Sequence, residues 1–252
     1  MKPKKSLGQN WLIDNNSLEE IISCANLTAS DQIIEIGPGT GNLTKLLAPQ
    51  VSKVIAIEID STLYRYLLKL NINNVNLINQ DIREFNFNNI VGPYKIVANI
   101  PYYLTSRLIR IISETENRAD LVVLLVQKEI AERLSAGPGK YSILGLNTQL
   151  YWDVVPGPII LKDNFDPIPK VDSQVVIFKP KELPKEVDIK KLTWLIKIGF
   201  KAKRKTLFNN LKSSLVEVSK INRALESLSL NQMVRPSELS INDWIMLSKS
   251  LL

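Results

Sequence analysis

The tetrapeptide Asn99-Ile100-Pro101-Tyr102 follows a short apolar run, Tyr94-Lys95-Ile96-Val97-Ala98, that reads as a strand. It combines a side-chain amide acceptor, a main-chain carbonyl ahead of a rigid proline, and an aromatic ring. The Asn99 side-chain oxygen and the Ile100 carbonyl can accept both N–H bonds of an exocyclic amine while Tyr102 stacks on the base carrying it. The chemistry this favours has an adenine or cytosine amine as the nucleophile. Alone, the tetrapeptide is more simply a strand-to-helix turn closed by proline. The segments upstream reverse that preference.

Gln32-Ile33-Ile34-Glu35-Ile36 has a buried-strand pattern and turns through Gly37-Pro38-Gly39-Thr40-Gly41 into a helical stretch led by Asn42. Glycines let a ligand approach the backbone, and a helix start offers free N–H groups. The spacing is G-x-G-x-G, whereas the dinucleotide fingerprint is G-x-G-x-x-G, which argues against NAD. With Glu35 in front, Gly37, Gly39 and Gly41 better suit a ligand with an amino-acid end and a cationic sulfur, such as S-adenosylmethionine. The next strand, Lys53 to Ile57, ends at Glu58-Ile59, where an acid commonly takes ribose hydroxyls. After a helix near Leu63 to Leu70, a strand at Val75 to Ile78 leads to Gln80-Asp81-Ile82. Asp81 can accept from an adenine amine and Ile82 can pack on the ring. Each acid alone reads as a solvated strand end, but four successive strand ends carry ligand-type groups in chain order. In an open α/β sheet those ends share one rim.

These residues, with Gly8-Gln9-Asn10-Trp11-Leu12, Gln127-Lys128-Glu129 and Phe165-Asp166-Pro167-Ile168-Pro169-Lys170-Val171-Asp172-Ser173, resemble the ribosomal RNA adenine dimethyltransferases over nearly the whole chain. The set is closest to the small-subunit, KsgA-type branch, because Gln127-Lys128-Glu129 with Arg133, the Phe165 loop and the run Phe200 to Leu207 are typical of it. The resemblance implies a Rossmann-like methyltransferase that dimethylates N6 of adenines, two adjacent ones, in a loop of small-subunit ribosomal RNA, with S-adenosyl-L-methionine as cofactor. It places Asn10 and Leu12 over the cofactor, Gly37 at its methionine part, Glu58 at its ribose and Asp81 at its adenine. Asn99 then faces cofactor and target amine, Tyr102 stacks on the target base, and Phe165 covers the other face. The chain departs from the family pattern at Trp11 (Phe is usual), Tyr103-Leu104 (Asn-Ile) and Ile168 (Pro). None of these removes a proposed hydrogen-bonding group.

An adenine N6 is a weak nucleophile because its lone pair is delocalised into the ring. Accepting both of its N–H bonds favours a pyramidal nitrogen and aims the lone pair, which is catalysis by position and preorganised electrostatics. No base is needed beforehand, and the composition agrees: the chain has no His and one Cys, which excludes His-dependent triads and His metal sites. Cys24, in an apolar helical stretch, reads as a small core residue.

The chain has 252 residues, 45% hydrophobic, with net charge +7. The excess is local. Lys190, Lys191, Lys197, Lys201, Lys203, Arg204, Lys205 and Lys212 occur with no acid between Ile189 and Val216, and Lys2, Lys4 and Lys5 form a second cluster. Such a distribution suits phosphate binding, so the expected partners are small-subunit ribosomal RNA and the immature small subunit. No apolar run reaches membrane length and no signal core is evident, so a cytoplasmic monomer is expected.

The elements that must position these groups follow from periodicity. Strand and helix patterns alternate up to Leu121–Val126, a continuous apolar strand, which predicts an α/β fold with a doubly wound, mostly parallel sheet. Strands at Gln149 to Val155 and Gln174 to Phe178 are expected to complete it as an antiparallel edge. Ser17-x-x-Glu20 is expected to cap a first helix with Leu18, Ile21, Ile22 and Ala25 inward. A linker at Lys179 to Lys185 divides residues 1–180, the methyltransferase domain, from residues 181–252, a small all-α RNA-binding domain. There Leu207, Leu211, Leu215 and Val218 form one stripe, Ser240-x-x-Asp243 opens the last helix, and Trp194 and Trp244 are expected in the core. Two other readings compete: a large-subunit adenine methylase of the resistance type, and a non-catalytic ribosome-assembly or nucleic-acid-binding factor. The Phe165 loop speaks against the first and the intact set Glu58, Asp81, Asn99 and Tyr102 against the second.

Overall fold

The computed structural model describes residues 2–183, 187–202, 204–214 and 217–252. Pro184 and Lys185 of the expected linker, Lys203 of the basic run, and Leu215 and Val216 lie outside the described residues. The chain forms two units, residues 1–132 with 152–180, and residues 133–151 with 181–252.

In the first unit, seven strands form one sheet: β2 (Gln32–Ile36), β3 (Lys53–Glu58), β4 (Val75–Asn79), β5 (Lys95–Asn99), β6 (Leu121–Gln127), β7 (Trp152–Ile160) and β9 (Ser173–Pro180). Their order is β4-β3-β2-β5-β6-β9-β7. The first five are parallel, and β9 runs antiparallel to both β6 and β7. β6 is buried along Val122–Val126 because it lies inside the sheet with both faces covered. The helices of this layer are α1 (Asn15–Cys24), α2 (Asn42–Leu47), α3 (Ser61–Leu70) and α4 (Thr105–Glu114). A two-stranded ribbon, β1 (Trp11–Leu12) with β8 (Phe165–Asp166), joins the N-terminal segment to the loop before β9.

α1 buries Leu18, Ile21 and Ile22, with Ala25 following, as its spacing predicts. Its cap differs from expectation. Asp14, not Ser17, precedes the helix, and its carboxylate accepts from the Ser17 amide (2.8 Å) and hydroxyl (2.7 Å). Asp14 serves as the cap because its carboxylate takes both donors of Ser17, the third residue of the helix. The expected strand from Gln149 is also corrected: Gln149 ends α6 (Ile143–Gln149), and β7 starts at Trp152. Ser142 caps α6 by accepting from the Gly145 amide (3.1 Å), and Gln149 Nε2 donates to the Leu134 (2.7 Å) and Ala136 (2.9 Å) carbonyls.

α6 belongs to the second unit, with α7 (Ile189–Gly199), α8 (Leu207–Lys212), α9 (Val218–Ser227) and α10 (Ile241–Leu251). Leu146, Leu192, Leu195, Leu207, Leu211 and Trp244 share one core there. This unit therefore holds residues 133–151 besides the 181–252 segment. α5 (Lys128–Leu134) precedes that added piece. Ser240 and Asp243 form the expected capping box. Val218 is 40% exposed because it opens a new helix instead of continuing the stripe of α8, and Trp194 is 46% exposed on α7, not core. Among the described residues no helix is long and apolar enough to cross a membrane.

Gly199 ends α7 against Trp244, which is fully buried. A Cβ there would overlap the Trp244 ring and come within 3.0 Å of Leu207 Cδ1. Gly199→Ala is expected to destabilise the helical unit by about 1–3 kcal/mol through overpacking, despite alanine's better helix propensity. Urea unfolding followed by tryptophan fluorescence measures this, and an unchanged midpoint would contradict the packing described.

Candidate active site

The strand order changes direction between β2 and β5, and at that switch point the C-terminal ends of β2, β3 and β5 border a cleft. The cleft opens to solvent, and about 1080 Å³ of space lies within and at its mouth. Its wall contains Asn10, Leu12, Glu35, Gly37, Gly39, Glu58, Ile59, Asp81, Ile82, Asn99, Ile100, Pro101, Tyr102 and Phe165. One site residue expected from sequence, Gly41, is not part of that wall.

The glycines serve different ends. Gly41 (φ +80°) starts α2, and a Cβ on it would reach Leu67 Cδ2 at 2.9 Å, so its missing side chain makes room for α3. Gly39 (φ +59°) would place a Cβ 3.2 Å from Trp11 Cδ1, so it admits the N-terminal segment. At Gly37 the nearest atom would be Pro101 Cδ at 4.0 Å, which leaves open space for a ligand.

Two buried carboxyls back this turn. Glu58 Oε2 accepts from the Gly39 amide (3.1 Å) and Oε1 from the Asp60 amide (2.8 Å). Burial raises the Glu58 pKa, and those amides oppose the rise. Glu35 is 1% exposed, and burial, with the Glu58 charge nearby, pushes its pKa up to about 8. Its Oε2 has no hydrogen-bond partner. A buried carboxyl of this kind is relieved by a cation, and the open glycine turn admits one. The wall therefore fits S-adenosylmethionine, whose amino-acid end and sulfonium bring positive charge and whose ribose brings hydroxyl donors.

The sequence reading gave no role to Asp60, Asn42, Arg83 or Ser173. Asp60 caps α3 through the Thr62 amide (2.9 Å) and also accepts from Lys4 Nζ (2.8 Å) and Gln9 Nε2 (3.3 Å). Burial would raise its pKa, but Lys4, Thr62 and Gln9 together hold it below the usual carboxylate range. Asn42 Nδ2 donates to the Leu12 carbonyl at 2.9 Å. These bonds and the β1–β8 pairing strap the N-terminal segment across the cleft wall. Asp81 is not free for a ligand in this conformation: Arg83 Nε donates to Oδ1 (3.0 Å) and Oδ2 (2.8 Å), and the ion pair holds the carboxyl well below its usual range.

On the substrate side, Asn99 ends β5, and its Nδ2 donates to the Asn10 carbonyl at 3.5 Å, which orients Oδ1 as the acceptor. Ile100 is buried, and Tyr102 opens a short 3-10 turn. Tyr102 Oη and Ser173 Oγ lie 2.8 Å apart, joining the tetrapeptide to the end of the Phe165 loop, and burial raises the phenol's pKa. Phe165 is 2% exposed and packs with Leu12, Leu18 and Ile160. Stacking on a base requires the β1–β8 ribbon to expose that ring. Among the described residues no group of His, Cys, Asp and Glu could hold a metal.

A family model described as ribosomal RNA adenine dimethylase matches residues 1–251. Ribosomal RNA small subunit methyltransferase A of Crocosphaera subtropica is 39% identical, covering 98% of this chain and 97% of that protein. The protein of the same name from Lactobacillus helveticus is 36% identical over 100% of this chain and 92% of its own. A dimethyladenosine transferase from Plasmodium falciparum superposes with a TM-score of 0.80 at 31% identity, covering 94% and 95% of the two chains. The 23S rRNA methyltransferase ErmE, at 21% identity and a TM-score of 0.76, shares the fold.

The buried carboxyl of Glu35 makes stability depend on pH. With a folded pKa near 8 and an ordinary value of 4.5, the folded protein keeps a proton that the unfolded chain has lost. Stability from this group is therefore complete below about pH 4.5 and is lost as pH rises through 8. Glu35→Gln is expected to match the wild type near pH 5 and to exceed it by on the order of a few kcal/mol at pH 9. Urea unfolding of the ligand-free protein across this range measures it, and parallel profiles would refute the assignment.

Proposed function

The chain belongs to the ribosomal RNA adenine dimethylase family, and we propose from that footing that it transfers methyl groups from S-adenosylmethionine to N6 of two adjacent adenines in a small-subunit ribosomal RNA loop. It acts as a cytoplasmic monomer on the immature small subunit. The observation that carries this reading is the placement of Asn99, Ile100, Pro101 and Tyr102 in one cleft wall with the open turn at Gly37.

S-adenosylmethionine, when bound, supplies an electrophilic methyl on sulfur. Glu58 holds its ribose, the turn at Gly37 its amino-acid end, Asp81 with Ile82 its adenine, and Asn10, Leu12 and Ile59 complete the enclosure. Asn99 Oδ1 and the Ile100 carbonyl accept the target amine's two N–H bonds, which localises the nitrogen lone pair and fixes its direction. Tyr102, anchored on Ser173, offers a ring whose position does not depend on the base. Phe165 covers the second face once the ribbon yields. A proton leaves the nitrogen only after methyl transfer, when it is acidic, so these residues need not act as bases.

Affinity for RNA comes from the helical unit. Lys190, Trp194 and Lys197 stand at i, i+4 and i+7 on α7 and are exposed, with Lys201, Arg204, Lys205 and Lys212 exposed beyond them. A tryptophan among lysines suits stacking on an unpaired base between phosphate contacts.

Asn99→Ala is expected to lower methyl transfer from labelled S-adenosylmethionine to immature small subunits by about a hundredfold or more, with RNA binding retained. Undiminished turnover removes Asn99 from the mechanism. The double substitution of Lys197 and Lys201 by Gln is expected to weaken RNA binding and to reduce the slope of log affinity against log salt by about 1.5 to 2. Filter binding over a salt series gives that slope, and an unaltered one assigns the RNA to another surface.

A further inference from the structure

Asp81 accepts from three N–H groups of one residue, one of them shared between its two oxygens. Arg83 donates from Nε to Oδ1 and Oδ2, from Nη2 to Oδ2, and from its main-chain N–H to Oδ1 at 2.9 Å. These donors engage both carboxylate oxygens, so a ligand amine must compete with the guanidinium for Asp81. The pair is asymmetric: the Asp81 side chain is 16% exposed and that of Arg83 58%. Both residues border the cleft beside Ile82 and Tyr103.

We propose that the Arg83 guanidinium is a built-in competitor for the adenine end of the cofactor, occupying the acceptors of Asp81 until the ligand's exocyclic amine displaces it. The inference rests on reading this cleft as an S-adenosylmethionine site. Displacement is feasible because the two partners of the pair are held differently. The main-chain N–H of Arg83 keeps Asp81 in place at the start of the Ile82–Glu84 turn, independently of the side chain. The guanidinium is mostly in solvent and loses little on returning to water, as is general for exposed ion pairs. Arg83 therefore sets a threshold: a ligand must present an N–H donor to Asp81 to recover what it breaks. A purine with a carbonyl in place of the amine has no donor at that position and leaves the guanidinium where it is, so the cost of displacing the competitor falls on the adenine ligand alone.

The test is calorimetric binding of S-adenosylhomocysteine and of S-inosylhomocysteine, which carries a carbonyl at the amine position, to the full-length wild type and to Arg83→Gln. Arg83→Gln is expected to bind S-adenosylhomocysteine about two- to fivefold more tightly, the range open to an exposed pair, and to gain nothing for the inosyl compound. Unchanged or weaker binding of S-adenosylhomocysteine by the variant overturns the proposal, as does equal tightening of both ligands, which would mean a general opening of the cleft. A wild type that binds neither ligand fails earlier, at the cofactor assignment itself, and this inference falls with it.

Discussion

The cleft takes its shape from one buried carboxylate. Glu58 ends β3, yet its two oxygens reach the Gly39 amide in the turn after β2 and the Asp60 amide at the start of α3. Two adjacent parallel strands are thereby locked at their C-terminal ends by bonds outside the sheet ladder. Charge-assisted bonds to main-chain amides are about twice as strong as neutral ones, and they are what keeps a 3% exposed acid tolerable. Each oxygen still has a lone pair to offer, so the same group that fixes the glycine turn can also receive hydroxyls. On the proposed function, structural support and ligand recognition would not be separate tasks for Glu58.

Asp60 extends this arrangement to the N-terminal segment. Having capped α3, it takes Lys4 and Gln9, and Asn42 and the β1–β8 pairing hold the chain a few residues further on. The glycine at position 39 then acquires a meaning that a ligand-centred reading misses. Its absent side chain is where Trp11 lies. A larger residue at 39 would displace the segment that carries Asn10 and Leu12, so damage there would reach the ligand through the strap as well as through the turn.

Much of this was legible because it depends on short-range patterns. Apolar runs such as Leu121–Val126 have one stable home, the interior of a parallel sheet, and strand ends in a parallel sheet must share a rim, so the sequence alone brings Glu58, Asp81 and Asn99 to one cleft. What could not be read were choices between chemically similar partners. Asp14 and Ser17 both can cap α1, and the carboxylate wins. Gln149 sits in an ambiguous stretch, and contacts with Leu134 and Ala136 decide for helix. Gly41 belongs to the same motif as Gly37, but only the packing of Leu67 shows that it lies outside the cleft wall. Arg83, two residues from Asp81, was visible as a letter; its bidentate grip depends on a turn geometry that spacing does not encode.

Positioning chemistry sets different demands on the two walls of the cleft. On the proposed function, the amine acceptors must be rigid, because an error of an ångström in the approach of nitrogen to carbon defeats an effect that consists of alignment. Asn99 and Ile100 meet that demand by ending β5, a strand paired on both sides with Ile96, Val97 and Ala98 fully buried. The same proposal requires the opposite wall to let a cofactor in and out at every turnover. Its closing segment is held by a two-residue strand pairing, a lysine 48% exposed and a few side-chain bonds, which puts it at the low end of local stability. Phe165 lies on the same ribbon and is buried there. On the proposed function, cofactor exchange and exposure of the second stacking face would both draw on this weakly held ribbon, while the groups that aim the nucleophile would stay anchored in the sheet.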